Sequence, residues 1–137
     1  MRALTVGPQP IETATFTPVV LEVDVWDTDG IHDAVHDSSR LTARTAGLYV
    51  ITAGFEWQAN PVGWRTALLK VNDIMNIAFD QRLAVNGAET VEAITAQYVL
   101  EPGDYVELVV QQNSGRTLDL GGGETIQTNV AMTWVGP

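Results

Sequence analysis

The sequence predicts a single all-β domain, built as a β-sandwich or jelly roll. Apolar and polar residues alternate with a period of two in several segments, which is typical of strands with one buried face. Short clusters of turn-forming residues, such as those at 60–63, 85–88 and 101–104, separate these segments. At this spacing the chain holds about eight to ten antiparallel strands, as sandwiches and jelly rolls do.

The strands are predicted at residues 17–26, 47–58, 64–72, 74–80, 90–100, 103–113 and 125–135. Asn72 and Asp73 both tolerate positive φ, so they predict a two-residue hairpin turn. Residues 67–79 and 90–100 also carry apolar residues at helical spacing, and periodicity alone does not decide such runs. Because their surroundings are β and β-branched residues are frequent, both are predicted to be strands.

Alternation also predicts which side chains share a face of each strand. The sets are Val19, Leu21, Val23 and Val25; Tyr49, Ile51, Ala53, Phe55 and Trp57; Ala67, Leu69 and Val71; Val106, Leu108 and Val110; and Val130, Met132 and Trp134. The last two sets are predicted to face the core. For Tyr49 and Phe55, the sequence leaves open whether they lie in the core or on an assembly surface.

Residues 1–16 are predicted to form an extended N-terminal arm, ahead of a jelly-roll domain at residues 17–137. The segment has no alternating or helical pattern, and two prolines within three residues resist both helix and sheet. We expect such an arm to anchor the domain on another surface. The candidate anchoring residues are Leu4, Val6, Pro8, Pro10 and Ile11.

Composition narrows the function. Apolar residues make up 45% of the chain and charged residues 18%, so the chain is expected to be globular. Seven basic and 17 acidic residues give a net charge of −10, which argues against binding to nucleic acid. No apolar run reaches the roughly 18 residues of a membrane span, and the first residues lack the apolar stretch of a signal peptide. The absence of cysteine excludes disulfides and thiolate chemistry.

Catalytic and metal-binding patterns are weak. No serine lies in a nucleophile elbow, and the two histidines, His32 and His36, have no evident further zinc ligands. Asp27, Asp29 and Asp33 lie in one predicted loop, and carboxylates at alternate positions suit calcium, although the terminal glutamate of an EF-hand is missing. We therefore expect no enzymatic activity and no cofactor, with these three aspartates as the weak metal candidates.

Three segments, in order, resemble the trimeric jelly-roll superfamily of tumour necrosis factor and the complement globular heads. Residues 46–51 read AGLYVI, residues 69–73 read LKVND and residues 100–108 read LEPGDYVEL. The resemblance covers about residues 19–136, although Asp73 replaces the usual glycine of the second motif and the closing strand lacks the motif common in the complement branch. Residues 26–33 and 39–42 look like the version found in bacterial and phage virion proteins.

This resemblance implies a TNF-like fold and a homotrimer, with Tyr49, Phe55, Tyr105 and Val109 as candidate interface residues. It further implies a structural protein of a tailed-phage virion. We expect a capsid decoration protein, anchored by its arm on partners such as the major capsid protein. The alternative is a tail or fibre-tip protein that binds a host glycan, with Asn60 and Trp64 in the candidate ligand loop. A secreted bacterial binding domain is a third possibility, which the missing signal peptide disfavours.

Overall fold

The computed structural model describes residues 1–121 and 126–137, and in these residues the protein is all-β. Twelve strands in the described residues, more than the eight to ten predicted, form two sheets, which confirms the predicted all-β fold class and is consistent with a β-sandwich. The strands are β1 (Arg2–Leu4), β2 (Gln9–Ile11), β3 (Thr17–Pro18), β4 (Val23–Trp26), β5 (Arg40–Thr42), β6 (Gly47–Trp57), β7 (Trp64–Val71), β8 (Met75–Leu83), β9 (Thr90–Leu100), β10 (Tyr105–Gln112), β11 (Leu118–Leu120) and β12 (Asn129–Gly136). Thr125, the first residue of the last predicted strand, lies outside the described residues. In the described part of the chain, no helix is long and apolar enough to cross a membrane.

The seven-stranded sheet, which we call sheet A, is organised around β6. β9 pairs with β6 along one edge, and β12 and β11 pair with its other edge. β1 and β4 extend the sheet beyond β12, and β2 pairs with β11. In the five-stranded sheet B, the order is β3-β10-β7-β8, with β5 also paired to β10. All of these strand pairings are antiparallel, and β8 and β9 bring the edges of the two sheets into contact.

The core lies between the inward faces of the two sheets. In β6, β7 and β10, the alternate apolar residues that were predicted to share one face of each strand are all buried. Phe55 and Trp57 of β6 are both fully buried, and burial of a large apolar side chain contributes about 1.5–3 kcal/mol. Asn72 and Asp73 have the predicted positive φ values, 52° and 56°, and Ile74 N donates to Val71 O across them. Because Val71 pairs with Met75, the loop between β7 and β8 has three residues rather than the predicted two.

The first sixteen residues do not form the separate arm that was predicted. β1 pairs with both β12 and β4, and β2 pairs with β11, so this segment supplies two strands of sheet A. Met1, Ala3 and Ile11 are buried in the core. Pro10 is tolerated because β2 pairs with β11 alone, and an edge strand does not need every amide as a donor. The sequence of this segment shows no clear alternation because its two strands are only three residues long.

Two further expectations are corrected. Residues 17–26 do not form one strand, because the chain crosses from sheet B to sheet A between β3 and β4. Val19 N donates to Leu108 O in sheet B, whereas Glu22 N donates to Leu4 O in sheet A. β4 is the edge strand of sheet A and all four of its residues are exposed, including Val23 and Val25. Trp134 lies on the core side of β12, as predicted, because it pairs with the buried Tyr49, but at the end of the sheet it is 42% exposed rather than buried, and its Nε1 donates to Ala46 O.

Candidate interaction surfaces and buried charged groups

Sheet A presents an exposed outer surface without charged side chains where β6, β9 and β12 lie side by side. Directly paired residues share a side of the sheet, and every second residue points away from the core. These outward residues form what we call the charge-free face: Leu48, Val50, Thr52, Gly54, Val91, Ala93, Thr95, Gln97, Val99, Asn129, Ala131 and Thr133. Glu56, the next outward residue of β6, is fully buried and adds no charge to this surface. Since a solvated sheet face normally carries polar and charged residues, this face is suited to contact with protein.

The outer side of sheet B carries a short apolar row. Val109 of β10 pairs with Pro18 on one side and Leu68 on the other, and Leu68 pairs with Phe79 of the edge strand β8. Val109 is only 4% exposed and Phe79 is 63% exposed. Val109, a candidate interface residue, is therefore already covered by its neighbours, and Phe79 is the accessible end of the row.

The other candidate trimer residues differ in their accessibility. Tyr49 and Phe55 lie in the core, at 1% and 0% exposure, so their assignment to a trimer interface is wrong. Both point inward because they share the phase of the other core residues of β6. The Tyr49 hydroxyl donates to Thr45 O at 2.7 Å and ties the preceding turn to the core. Tyr105 is half-buried beneath Arg40, whose guanidinium carbon lies 4.3 Å from the ring centroid.

The three candidate metal-binding aspartates lie in the loop between β4 and β5. Asp27 accepts hydrogen bonds from His32 N at 2.8 Å and Asp29 N at 3.3 Å, and Asp33 accepts from Val35 N at 2.9 Å. Burial acts to raise the pKa of Asp27, but these amide donors outweigh it and hold the pKa below its ordinary value. Within the described residues, no three acidic or histidine side chains converge into a metal-binding group. The carboxylates of Asp27 and Asp33 thus bind the loop's own backbone.

The candidate ligand loop at 60–64 is held by a buried arginine. Arg65 donates to Val62 O, Trp64 O and Asn60 O at 3.0–3.1 Å, and its guanidinium lies 5.8 Å from the Trp57 ring centroid. Trp64 is 43% exposed at the start of β7. The structure therefore places Asn60 and Trp64 together on a loop whose backbone carbonyls accept hydrogen bonds from the buried Arg65 guanidinium.

A second buried charged group joins the edges of the two sheets. Glu92 of β9 points inward and is 1% exposed. Its Oε2 accepts a 2.6 Å hydrogen bond from Trp57 Nε1, and Arg82 Nε of β8 lies 3.6 Å from its Oε1. Arg82 also donates to Asp80 and to Val91 O. Trp57, Glu92, Arg82 and Asp80 thus link β6, β9 and β8 through polar contacts.

This environment shifts the ionisation of Glu92. Burial raises the pKa of Glu92 to about 7, with a smaller raising effect from the neighbouring Asp80 carboxylate. The Trp57 hydrogen bond and the Arg82 charge oppose this rise without cancelling it. Burial likewise lowers the pKa of Arg65, against the attraction of Glu92. Among the described residues, Glu92 lines neither the cavity beside Glu56, Glu89 and Asp119 nor the cavity beside Pro10, Val20 and Glu22.

The alternation of the strands carries part of the signal for these buried charges, which were not predicted. In the strand at 90–100, Glu92 shares its phase with Ile94 and Ala96, so a charged residue falls on the predicted core side. Arg65 likewise shares its phase with Ala67 in β7. Glu56 gives no such signal, because its position in the alternation of β6 predicts that it points outward. It is nevertheless buried, and Ile126 N donates to its Oε2 at 3.2 Å.

Comparison with known proteins assigns no family. Neither the family models nor the curated proteins that were searched match this chain.

Proposed function

We propose that the protein is a non-enzymatic structural protein of a tailed-phage virion, a homotrimer that decorates the capsid. The phage assignment derives from the sequence resemblance. The charge-free face of sheet A supports the self-assembly part of the proposal. We place the trimer contact on this face, because two of the interface residues expected from the sequence lie in the core and Val109 is already covered.

Electrostatic repulsion between copies favours self-contact through this face. A chain with a net charge of −10 repels other copies of itself, so a stable contact between copies requires a surface on which no like charges meet. The charge-free face meets this requirement over three adjacent strands. Val91 and Val99 add exposed apolar area at the edge strand β9, where a neighbouring copy can cover them.

Light scattering after size exclusion tests the assembly. We expect the intact chain to be a trimer and the variant Thr95→Glu, which places a carboxylate in the middle of the charge-free face, to be a monomer. Gln81→Glu is the matched control, since Gln81 is an exposed residue on the outer side of β8, an edge strand of sheet B. A monomeric wild-type chain, or an equal effect of the two substitutions, would contradict the proposed contact.

Fractionation of the virion tests the location. The decoration role predicts that an antibody to this chain detects it in DNA-filled heads after their separation from tails. In place of a free arm, the exposed Val6, Pro8 and Pro10 of the folded N-terminal segment are the remaining candidate contacts with the major capsid protein. Detection in the tail fraction alone would contradict the decoration role.

The alternative role, a glycan-binding tail or fibre-tip protein, is favoured by the loop at 60–64. Trp64 pairs with Leu83, and both are exposed, so they form a small apolar platform on a backbone held by Arg65. A sugar ring packs on such a surface through its apolar face. The role predicts binding to a glycan array that is lost in Trp64→Ala and kept in Trp134→Ala, a second exposed tryptophan far from the loop in sequence.

A further inference from the structure

A cavity of about 310 Å³ lies at the end of sheet A where β6, β9 and β11 meet. Trp57 pairs with Thr90 of β9 and with Leu120 of β11, and these pairings bring Glu56, Glu89 and Asp119 to the same cavity. The volume is at the lower end of the roughly 300–1,000 Å³ typical of ligand pockets. The cavity is therefore of a size for one side chain rather than a large ligand.

The lining of this cavity is acidic. Glu56, Glu89 and Asp119 contribute three carboxylates, and no lysine or arginine is among the described residues that line the cavity. Glu56 is fully buried, and although its Oε2 accepts from Ile126 N, its Oε1 has no hydrogen-bond partner among the described residues. A buried carboxylate oxygen without a hydrogen-bond partner destabilises the folded protein, so a hydrogen-bond donor bound at this atom would be stabilising.

The chemistry of that donor follows from the arrangement of the carboxylates. No three acidic side chains in the described residues are close enough to share one metal ion. Separated carboxylates suit a guanidinium, which is planar and carries five N–H donors that can reach several acceptors at once. Pro8 and Ala59 also line the cavity and offer an apolar surface for the methylene stem of an arginine.

We propose that this cavity is a binding site for an arginine side chain of a partner protein, with Glu56 at its floor and Glu89 and Asp119 at its rim. The site does not depend on the oligomeric state or on the location in a virion. It requires only that a basic segment of another protein reach the end of sheet A. The strong excess of acidic over basic residues in this chain favours such a partner electrostatically.

Backbone amide NMR titration of the intact chain tests the site. The probes are the peptide acetyl-Gly-Arg-Gly-amide and its citrulline analogue, which has the same shape without the charge. We expect the arginine peptide to shift the amides of Gln58, Ala59 and Gly121, and the citrulline peptide to leave them unchanged. Glu56→Gln is expected to weaken binding at least about tenfold, because it removes a buried charge partner.

The matched control is Glu101→Gln. Glu89 directly precedes β9 and Glu101 directly follows it, so the two exposed glutamates lie about 40 Å apart along the strand. We expect the double variant Glu89→Gln/Asp119→Asn to weaken binding as well, and Glu101→Gln to change it less than about twofold. Because the double variant changes only residues at the rim, it still tests arginine binding to the cavity if Glu56→Gln fails to fold.

Three results would overturn the proposal. The first is the absence of shifts at the three amides, or equal shifts with the citrulline peptide. The second is equally tight binding of spermidine, which would assign the site to a free polyamine rather than to an arginine of a protein. The third is displacement of the peptide by Ca²⁺ at the same amides, which would assign the site to a metal ion.

Discussion

Replacement of Glu92 by glutamine tests whether the buried carboxyl destabilises the protein when it ionises. Glu92 faces Trp57 of β6, Asp80 and Arg82 of β8, and the charge of Arg65 in β7. Glutamine keeps a similar shape and can accept the Trp57 hydrogen bond without carrying a charge. We therefore expect Glu92→Gln to act as a permanently protonated form of the site.

The magnitude and sign follow from the shifted pKa. Glu92 has a pKa of about 7 in the folded protein, against an ordinary value of 4.5. Because the folded state binds the proton more tightly than the unfolded state, the stabilisation is complete below about pH 4.5 and is lost as the pH rises through about 7. At about 1.4 kcal/mol per pKa unit, ionisation costs the folded state on the order of 3 kcal/mol above pH 8.

Urea unfolding monitored by tryptophan fluorescence, at pH values between 5 and 8.5, measures this effect. We expect Glu92→Gln to be more stable than the wild type at pH 8.5, to approach it at pH 5 and to show a flatter dependence of stability on pH. Glu101→Gln, an exposed substitution, controls for the loss of one acidic residue. A Glu92→Gln variant that is less stable than the wild type at pH 8.5 would refute the reasoning, since it would show that Arg82 stabilises the ionised carboxylate.

Two further substitutions test the turn before β6. Gly47→Ala is expected to lower the free energy of unfolding by about 3 kcal/mol or more, because Gly47 has φ 141° and an added Cβ would lie 2.3 Å from Gly136 O. Gly115→Ala controls for the cost of positive φ alone, since Gly115 has φ 82° and open space around it. An equal loss of thermal stability in the two variants would contradict the steric explanation. Tyr49→Phe is expected to cost about 1–2 kcal/mol in urea unfolding, because it removes the hydroxyl that donates to Thr45 O, and an unchanged stability would show that water satisfies this carbonyl.

Long strands and tight turns could be predicted because their signals are local. The strand at 47–58 has five alternate apolar residues, and β6 spans Gly47–Trp57. The turn at Asn72 and Asp73 needs only two residues that tolerate positive φ. The ambiguous run at 90–100 is β9, as predicted, because a full antiparallel pairing with β6 outweighs its weak helical spacing.

Short strands and faces could not be predicted in the same way. β1, β2 and β11 have three residues each, too few to show a period, and they form only because strands distant in sequence supply their hydrogen-bond partners: β12 for β1, β6 for β11 and β11 for β2. The charge-free face is visible only after β6, β9 and β12 are placed side by side. The acidic cavity combines residues from 8 to 121 for the same reason.

Local alternation and composition are thus enough to establish an all-β chain, most of the core of β6, β7 and β10, and an acidic surface that disfavours nucleic acid. Tertiary pairing alone decided that residues 2–4 and 9–11 belong to sheet A, that Tyr49 and Phe55 are core residues, and that Glu56 and Glu92 are buried. The physical reason is that burial of a side chain depends on what packs against it. A strand's own sequence specifies two faces, but its neighbours determine which parts of each face meet water.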